Sequence, residues 1–597
     1  MDDKLAVPAP SAALPESEAA TIAATSIAGD EKTSIAGEPA SDADITPSVR
    51  GPTPTDPEKR AELERQTTAV SKSGQEIDRT RTREDGTEYP TGPKLALIIL
   101  ALCLSIFLMA LDNSIIATAI PKITEDFQSL QDVGWYGSSY LLTTAALQLL
   151  FGRIYTFFSV KWVYLTAIII FELGSLICAV AQNSVTLIVG RAISGVGSAG
   201  LFSGALIILA YSVPLAKRPI YSGAVGSMYG IASVSGPLLG GVFTDKVTWR
   251  WCFWINLPIG AITILVIAVF FPDPRREITN DDTWQQRIKR FDPIGTAVFM
   301  PAIISLLLAL QWGGTTYAWS SWRIIFLLVL FGVLIAIFLF IQYKQQDLAT
   351  VPPRIFFKQS VWASSFFSFC LGAAFLGSVY YLPIWFQAVK GASAVQSGIM
   401  NLPMLISVVV MSMFAGAAVT IWGYYTPFML VAVVFTTVGY GLLTTFSPST
   451  PAPVWIGYQI LAGVGIGLGM QQPLMAVQTV LEIDDVPTGT AVVVFMQTLG
   501  GALFVSIAQN VFTNKLVEYV AAYAPAFGDP MGILAIGATS VQKLPPGEVL
   551  EGVTRAYNDS LTKTFVVFTA LSGLAMVGAV FTEWRSVKGK KVEMVAA

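Results

Sequence analysis

Residues 95–120 read LALIILALCLSIFLMALDNSIIATAI, a run in which Asp112 is the single charged side chain. About 20 apolar residues in a helix cross the roughly 30 Å of hydrocarbon in a bilayer, so this run is long enough to span one. A carboxylate at the centre of such a helix costs about 2.5–3.5 kcal/mol on insertion scales, which makes Asp112 a functional suspect. Thirteen further apolar runs follow, at about 134–155, 162–181, 185–211, 219–243, 251–271, 293–312, 323–342, 362–386, 394–420, 425–446, 453–476, 489–512 and 564–584. Two more charges sit inside early runs, Glu172 in the third and Arg191 in the fourth. The expected fold class is therefore an all-α polytopic membrane protein with 14 transmembrane helices.

Composition narrows the function. The chain is 53% hydrophobic and 13% charged, too apolar for a soluble protein with an ordinary surface. A net charge of −3 gives no sign of a nucleic-acid partner, and the absence of histidine removes histidine-based acid–base catalysis, Ser-His-Asp triads and imidazole metal ligation. No enzyme, cofactor or metal site is expected. Cys103, Cys178, Cys252 and Cys370 are far apart in apolar runs and read as small buried residues. No GxxxxGK[ST] motif occurs, and Gly195 to Gly200 satisfies GxGxxG without the βαβ context a dinucleotide site needs.

Residues 1–92 are rich in Ser, Thr, Ala, Pro, Asp and Glu and read as a disordered cytoplasmic tail. Lys and Arg concentrate in alternate loops (Arg153 and Lys161; Lys217 and Arg218; Arg275 to Arg290; Lys344 to Lys358), which places both termini in the cytoplasm. The expected order is a six-helix bundle over 93–271, a cytoplasmic loop over 272–292, a two-helix insert over 293–342, a second loop over 343–361, a six-helix bundle over 362–585 and a cytoplasmic tail over 586–597. A long extracellular loop is expected over 513–563, carrying the sequon Asn558-Asp559-Ser560 as a glycosylation site. Gly152-Arg153-Ile154-Tyr155-Thr156 is faintly repeated as Gly416-Ala417-Ala418-Val419-Thr420, the kind of weak symmetry found in transporters built from repeated halves.

Counting 1.5 Å per residue from the outer helix ends puts Asp112 about 12 Å deep, Glu172 about 13 Å and Arg191 about 10 Å. All three fit one layer, either as a structural ion pair that orients helices or as a proton-titrating site. In the fifth run, Gly226 and Gly230, then Gly236, Pro237, Gly240 and Gly241, form a small-residue face for close helix contact with a proline that loosens the ladder. It serves either packing or a gating hinge. The second half offers amides and aromatics in place of charge: Gln311, Trp312, Tyr380, Tyr381, Trp385, Gln387, Asn401, Gln471, Gln472 and Gln497 are candidate cargo contacts. Trp312 and Trp385, near outer helix ends, also suit an interfacial aromatic belt.

Leu111 to Pro121 (LDNSIIATAIP) resembles the first-helix signature of the fourteen-helix drug:proton antiporters of the major facilitator superfamily. Arg191-Ala-Ile-Ser-Gly195-Val-Gly197 is similar to their fourth-helix motif, and Gly226 through Gly241 to their fifth-helix antiporter motif. Trp249 to Pro258, Leu310 to Gly314 and Tyr381 to Gln387 look like fungal members that export toxins and other secondary metabolites. The resemblance covers about residues 93–585. It implies two six-helix halves with an inserted pair and an efflux pump exchanging protons for a small amphipathic cargo. The proton-coupling candidates are Asp112, Glu172 and Arg191, and the expected setting is a monomer in the plasma membrane, with the vacuolar membrane as the alternative. An importer of a nutrient or siderophore, or a membrane scaffold or sensor, are the alternatives. One departure stands out: the acidic position of the motif after the second helix holds Thr156, so closure there is expected to rest on packing.

Overall fold

The computed structural model describes residues 89–129, 132–273, 291–314, 316–535 and 538–588. The expectations for the tail before residue 89, most of the 272–292 loop and the last residues of the chain lie outside the described residues. The described residues form long helices and two isolated β-bridges, with no sheet. In chain order the long helices are α1 (Gly92–Phe127), α2 (Val133–Phe157), α3 (Val160–Ala179), α4 (Ser184–Ser212), α5 (Arg218–Lys246), α6 (Trp251–Phe270, interrupted at Ile255) and α7 (Pro293–Trp312). They continue with α8 (Trp322–Gln345), α9 (Gln359–Ala388), α10 (Leu402–Trp422), α11 (Thr426–Leu443), α12 (Ala452–Val480), α13 (Val486–Tyr523) and α14 (Glu548–Phe581). Twelve of them are long and apolar enough to cross a membrane. The other two, α2 and α5, have 25 and 29 residues but carry many Gly, Ser, Thr and Tyr side chains.

Local chemistry explains several boundaries. Pro93 opens α1, where its missing N–H costs nothing, and α1 closes at Gln128, whose left-handed backbone lets its N–H reach the Thr124 carbonyl. In α12, Pro473 supplies no donor to the preceding turn, so the helix resets across Met470 and Gln471. Asp292 caps α7. Its carboxylate accepts from the Gly295 N–H (2.7 Å), Gln342 Nε2 (2.7 Å), the Thr350 N–H (3.0 Å) and the Thr350 hydroxyl (2.8 Å), which ties the start of α7 to the end of α8 and the segment beyond it.

Helices α1 to α6 pack on one another, with α3 on α4, α1 on α5 and α6, and α2 on α4. Helices α9 to α14 do the same, with α9 on α13 and α14, α11 on α12, and α10 on α12. These two sets meet where α5 lies on α10 and α2 on α13. Helix α7 fills the seam between α2 and α13 through Phe299 and Ile303, which pack with Ala145, Leu149, Val492 and Phe495. Helix α8 rests on α7 and leaves most of its apolar side chains uncovered.

The end at which α1 begins is here called proximal and the other distal. At the proximal end Gly152 of α2 lies so close to α13 that a Cβ there would overlap the Ala491 methyl. Gly416 of α10 is equally tight against the Pro219 carbonyl at the start of α5. The two repeated segments thus make matching contacts, and each threonine returns its hydroxyl to its own glycine carbonyl: Thr156 to Gly152 at 3.0 Å and Thr420 to Gly416 at 2.9 Å. Thr156 also lies 3.1 Å from the Thr488 hydroxyl across the seam, so this end closes by packing plus a hydroxyl pair. Beside it Arg354 grips Asp485 with two bonds (2.6 and 2.9 Å) and Asp347 with a third, and these hydrogen bonds and charges raise its pKa above the ordinary arginine value. At the distal end a Cβ on Gly241 or Gly398 would meet Val395 or Pro237 only at ordinary contact distance, 3.8 and 3.6 Å.

The loop expected over 513–563 is much shorter. Helix α13 runs on to Tyr523 and α14 begins at Glu548. The charges in these turns lower the hydropathy but leave the helical spacing intact, with Leu516 and Val520 buried on one helix and Val553, Ala556, Tyr557, Ser560 and Leu561 on the other.

Candidate functional site

A cavity of about 390 Å³ lies between the two helix sets. Helices α1, α2, α4 and α5 supply Asn113, Ser114, Thr118, Tyr140, Thr144, Gln148, Ser198, Tyr229, Ser233 and Pro237. Helices α9, α12 and α13 and the turn before α10 supply Phe375, Tyr380, Pro383, Gln387, Asn401, Met470, Gln497 and Thr498. None of the lining side chains carries a charge. The wall combines apolar surface with scattered hydroxyls and amides, the makeup of a site for a small amphipathic molecule.

The expected cargo contacts divide. Tyr380, Gln387, Asn401 and Gln497 line the cavity, and Tyr380 is 45% exposed. Its neighbour Tyr381 turns the other way, donating to the Val505 carbonyl at 3.1 Å and Gln509 at 3.0 Å. Trp385 is fully buried, its indole N–H on Asn558 at 2.9 Å, so it is no belt residue. Trp312 packs edge-on against Trp135, and Gln311 lies against Gly134. Gln471 sits in the break of α12 against Gly226, and Gln472 donates to the Leu468 carbonyl at 3.1 Å. These six lie away from the cavity wall. The first set adds lining residues that the sequence reading did not name, Asn113, Tyr140, Gln148 and Tyr229. The signal for Tyr140 and Gln148 in the sequence was the polar character of α2, and Asn113 and Tyr229 carried none.

The glycines of α5 serve two neighbours instead of one face. Gly226 and Gly230 approach Gln471 and Val409 of the second set, whereas Gly236 and Gly240 approach Ser114, Ile115 and Thr118 of α1. Pro237 lies between these contacts, inside the helix and on the cavity wall, and Gly241 is only loosely opposed.

Behind the cavity wall sits a buried ion pair. Asp112 of α1 and Arg191 of α4 are both fully enclosed, and one guanidinium nitrogen contacts the carboxylate directly. Arg191 Nε donates to the Tyr136 carbonyl at 2.9 Å, and its guanidinium stacks 4.5 Å from the Tyr140 ring centroid. Asn256 of α6 donates to the other Asp112 oxygen at 3.2 Å and to Ser175 at 3.1 Å. Glu172, expected in the same layer, is buried on α3 against Gly260, and its carboxyl oxygens have no hydrogen-bond partner among the described residues. The structure therefore joins Asp112 to Arg191 and leaves Glu172 one helix away, on the face that holds Ser175. Removing one member of an enclosed pair strands the other charge, at about 3–5 kcal/mol.

The glycosylation expectation does not survive. Asn558 is 3% exposed, accepts from Trp385 and donates to the Phe446 carbonyl at 2.9 Å, so its amide is spent inside the bundle.

The sequence pattern of the Major Facilitator Superfamily matches residues 102–318 and again 291–505. The chain belongs to that superfamily. It is a multi-pass membrane transporter and not an enzyme. Among similar proteins, the MFS-type efflux pump MFS1 of Arthroderma benhamiae is 60% identical over 509 residues, covering 85% of this chain and 95% of the relative. The aspyridones efflux protein of Neocamarosporium betae is 54% identical over 85% of this chain and 90% of the relative. Efflux pump roqT of Penicillium rubens is 52% identical over 82% of this chain and 91% of the relative. Of solved structures, the human organic anion transporter MFSD10 (TETRAN) aligns with a TM-score of 0.51 over 81% of this chain and 100% of its own, at 13% identity, a likeness of fold.

Proposed function

We propose that this transporter is a proton-coupled exporter of small amphipathic compounds, fungal secondary metabolites among them, working as a monomer in the plasma membrane with its proximal end in the cytoplasm. The observation that carries this reading is an uncharged cavity whose wall backs directly onto the enclosed Asp112–Arg191 pair. The names of the relatives, efflux pumps that include one for aspyridones, support the outward direction. In this mechanism cargo enters when the Gly152 and Gly416 contacts part, and the two helix sets rock about α5 and α10. Protonation of Asp112 from the distal side favours one access state and cargo release the other, by population shift. Each charge falling through 100 mV supplies about 2.3 kcal/mol, roughly a fifty-fold bias. Glu172 is a second proton carrier that adds to the stoichiometry.

The test uses inside-out plasma-membrane vesicles from yeast expressing the protein, with Nile red as an uncharged amphipathic probe. Dye should accumulate inside the vesicles under an inwardly acidic gradient, and Asp112→Asn should abolish accumulation while membrane insertion stays intact. Equal accumulation by the two proteins, or accumulation that ignores the gradient, would reject proton coupling through Asp112.

A further inference from the structure

One ring belongs to both the cavity and the charge pair. Tyr140 lines the cavity from α2, and the same ring faces the Arg191 guanidinium with its centroid 4.5 Å away. Its hydroxyl donates to Ser198 at 2.7 Å and lies 3.3 Å from the Met109 carbonyl, which pins the ring between α1 and α4. One turn earlier on α2, the Tyr136 carbonyl holds Arg191 Nε. No other cavity-lining side chain touches the guanidinium by a hydrogen bond or ring contact among the described residues.

The physics of that contact distinguishes the two charge states of the pair. An aromatic face is electron-rich, so it attracts the guanidinium and repels the carboxylate. While Asp112 is ionised the ring meets a nearly neutral pair and contributes little. Once Asp112 takes a proton, the guanidinium loses its counter-charge, one of its nitrogens already lacks a hydrogen-bond partner, and the ring face joins the Tyr136 and Asp112 backbone carbonyls as its compensation. We propose that Tyr140 is the positioning residue of proton coupling: it holds Arg191 when Asp112 is neutral, and through its other edges it makes that state sensitive to what fills the cavity. The proposal rests on the reading of Asp112 as a proton carrier. The remaining titratable groups around the pair are Tyr136 from α2, Glu172 and Cys178 from α3, Tyr229 from α5, Cys252 from α6 and Tyr380 from α9. Of these only Glu172 is a second carboxylic acid.

Infrared difference titration of the reconstituted protein follows the carboxylic-acid band of Asp112, assigned by its loss in Asp112→Asn and separated from Glu172 in a Glu172→Gln background. Tyr140→Leu should lower the protonation midpoint by about half to one pH unit, a three- to tenfold loss of proton affinity. Tyr140→Phe and Ser198→Ala keep the ring over Arg191 and should leave the midpoint in place. Because the Leu variant removes packing as well, phenylalanine carrying zero, two or three ring fluorines at position 140 provides a shape-preserving series, along which the midpoint should fall stepwise. An unmoved midpoint along that series overturns the proposal. A wild-type protein with no titrating Asp112 band overturns instead the proton-carrier reading on which it rests. In a third arm, Leu141→Cys, on the cavity wall beside Tyr140, is modified with N-phenylmaleimide as a tethered occupant. The midpoint should move relative to the native protein treated alike, and an unchanged value would sever the link between cavity and pair.

Discussion

The proximal seal makes a quantitative prediction. At Gly152 there is no room for one methyl group, because a Cβ would overlap the Ala491 methyl while the Pro487 carbonyl stands 3.5 Å away. Overpacking of this kind costs about 1–3 kcal/mol. That cost applies only to the proximally closed state, so Gly152→Ala should shift the equilibrium toward the proximally open one by about 5- to 150-fold. Exchanging the two side chains, Gly152→Ala with Ala491→Gly, restores the room and should return most of the loss. Spin labels at Lys217 and Glu482, exposed positions flanking the seal on the two helix sets, report the change as a longer inter-label distance by double electron–electron resonance. The single variant should show a grown long-distance population and the double variant a distribution near that of the parent. If the single variant leaves the distribution unchanged, or the double variant fails to reverse it, the reasoning from contact distance is wrong.

Further outcomes follow from the same geometry. Asp292→Ala strands four donors; taking two of its charge-assisted bonds at about 1.5 kcal/mol each, thermal unfolding should show at least about 3 kcal/mol of lost stability. Endoglycosidase treatment should not change the electrophoretic mobility of the protein expressed in a fungal host, and a mobility shift abolished by Asn558→Gln would contradict the burial described here. Asn558→Ala should itself cost about 1–3 kcal/mol, since the Trp385 indole and the Phe446 carbonyl lose their partner. The raised pKa of Arg354 means that its contribution is fully present below the ordinary arginine value and lost only above it, so the inter-label distance between positions 217 and 482 should stay flat between about pH 6 and 9.

The span pattern was open to reading because hydropathy responds to burial in oil, and the meeting of Asp112 with Arg191 followed from depth along two antiparallel helices. Rotation about a helix was another matter. Helix α9 is apolar nearly all round, so nothing in the order Tyr380-Tyr381 says which ring faces the cavity and which faces Gln509. Trp385 and Asn558 are 173 positions apart, and neither carries a mark of its partner. Asp292-Pro293 does carry a helix-start signature, but its bonds to Gln342 and Thr350 depend on the return of α8. The serines and threonines of α2 and α5 look like packing residues in sequence, and only the assembled wall shows that several face an empty space.

The tightest contacts across the proximal end are made by glycine, a methyl group, a peptide carbonyl and hydroxyls. Mobile ions screen charges and leave such contacts untouched. These contacts are therefore indifferent to ionic strength, and the salt response of the proximal end is carried by its ion pairs, Arg354 with Asp485 and Asp347. The uncharged contacts answer instead to temperature and to side-chain volume, so one end of the bundle combines a part that salt leaves alone with a part that it screens.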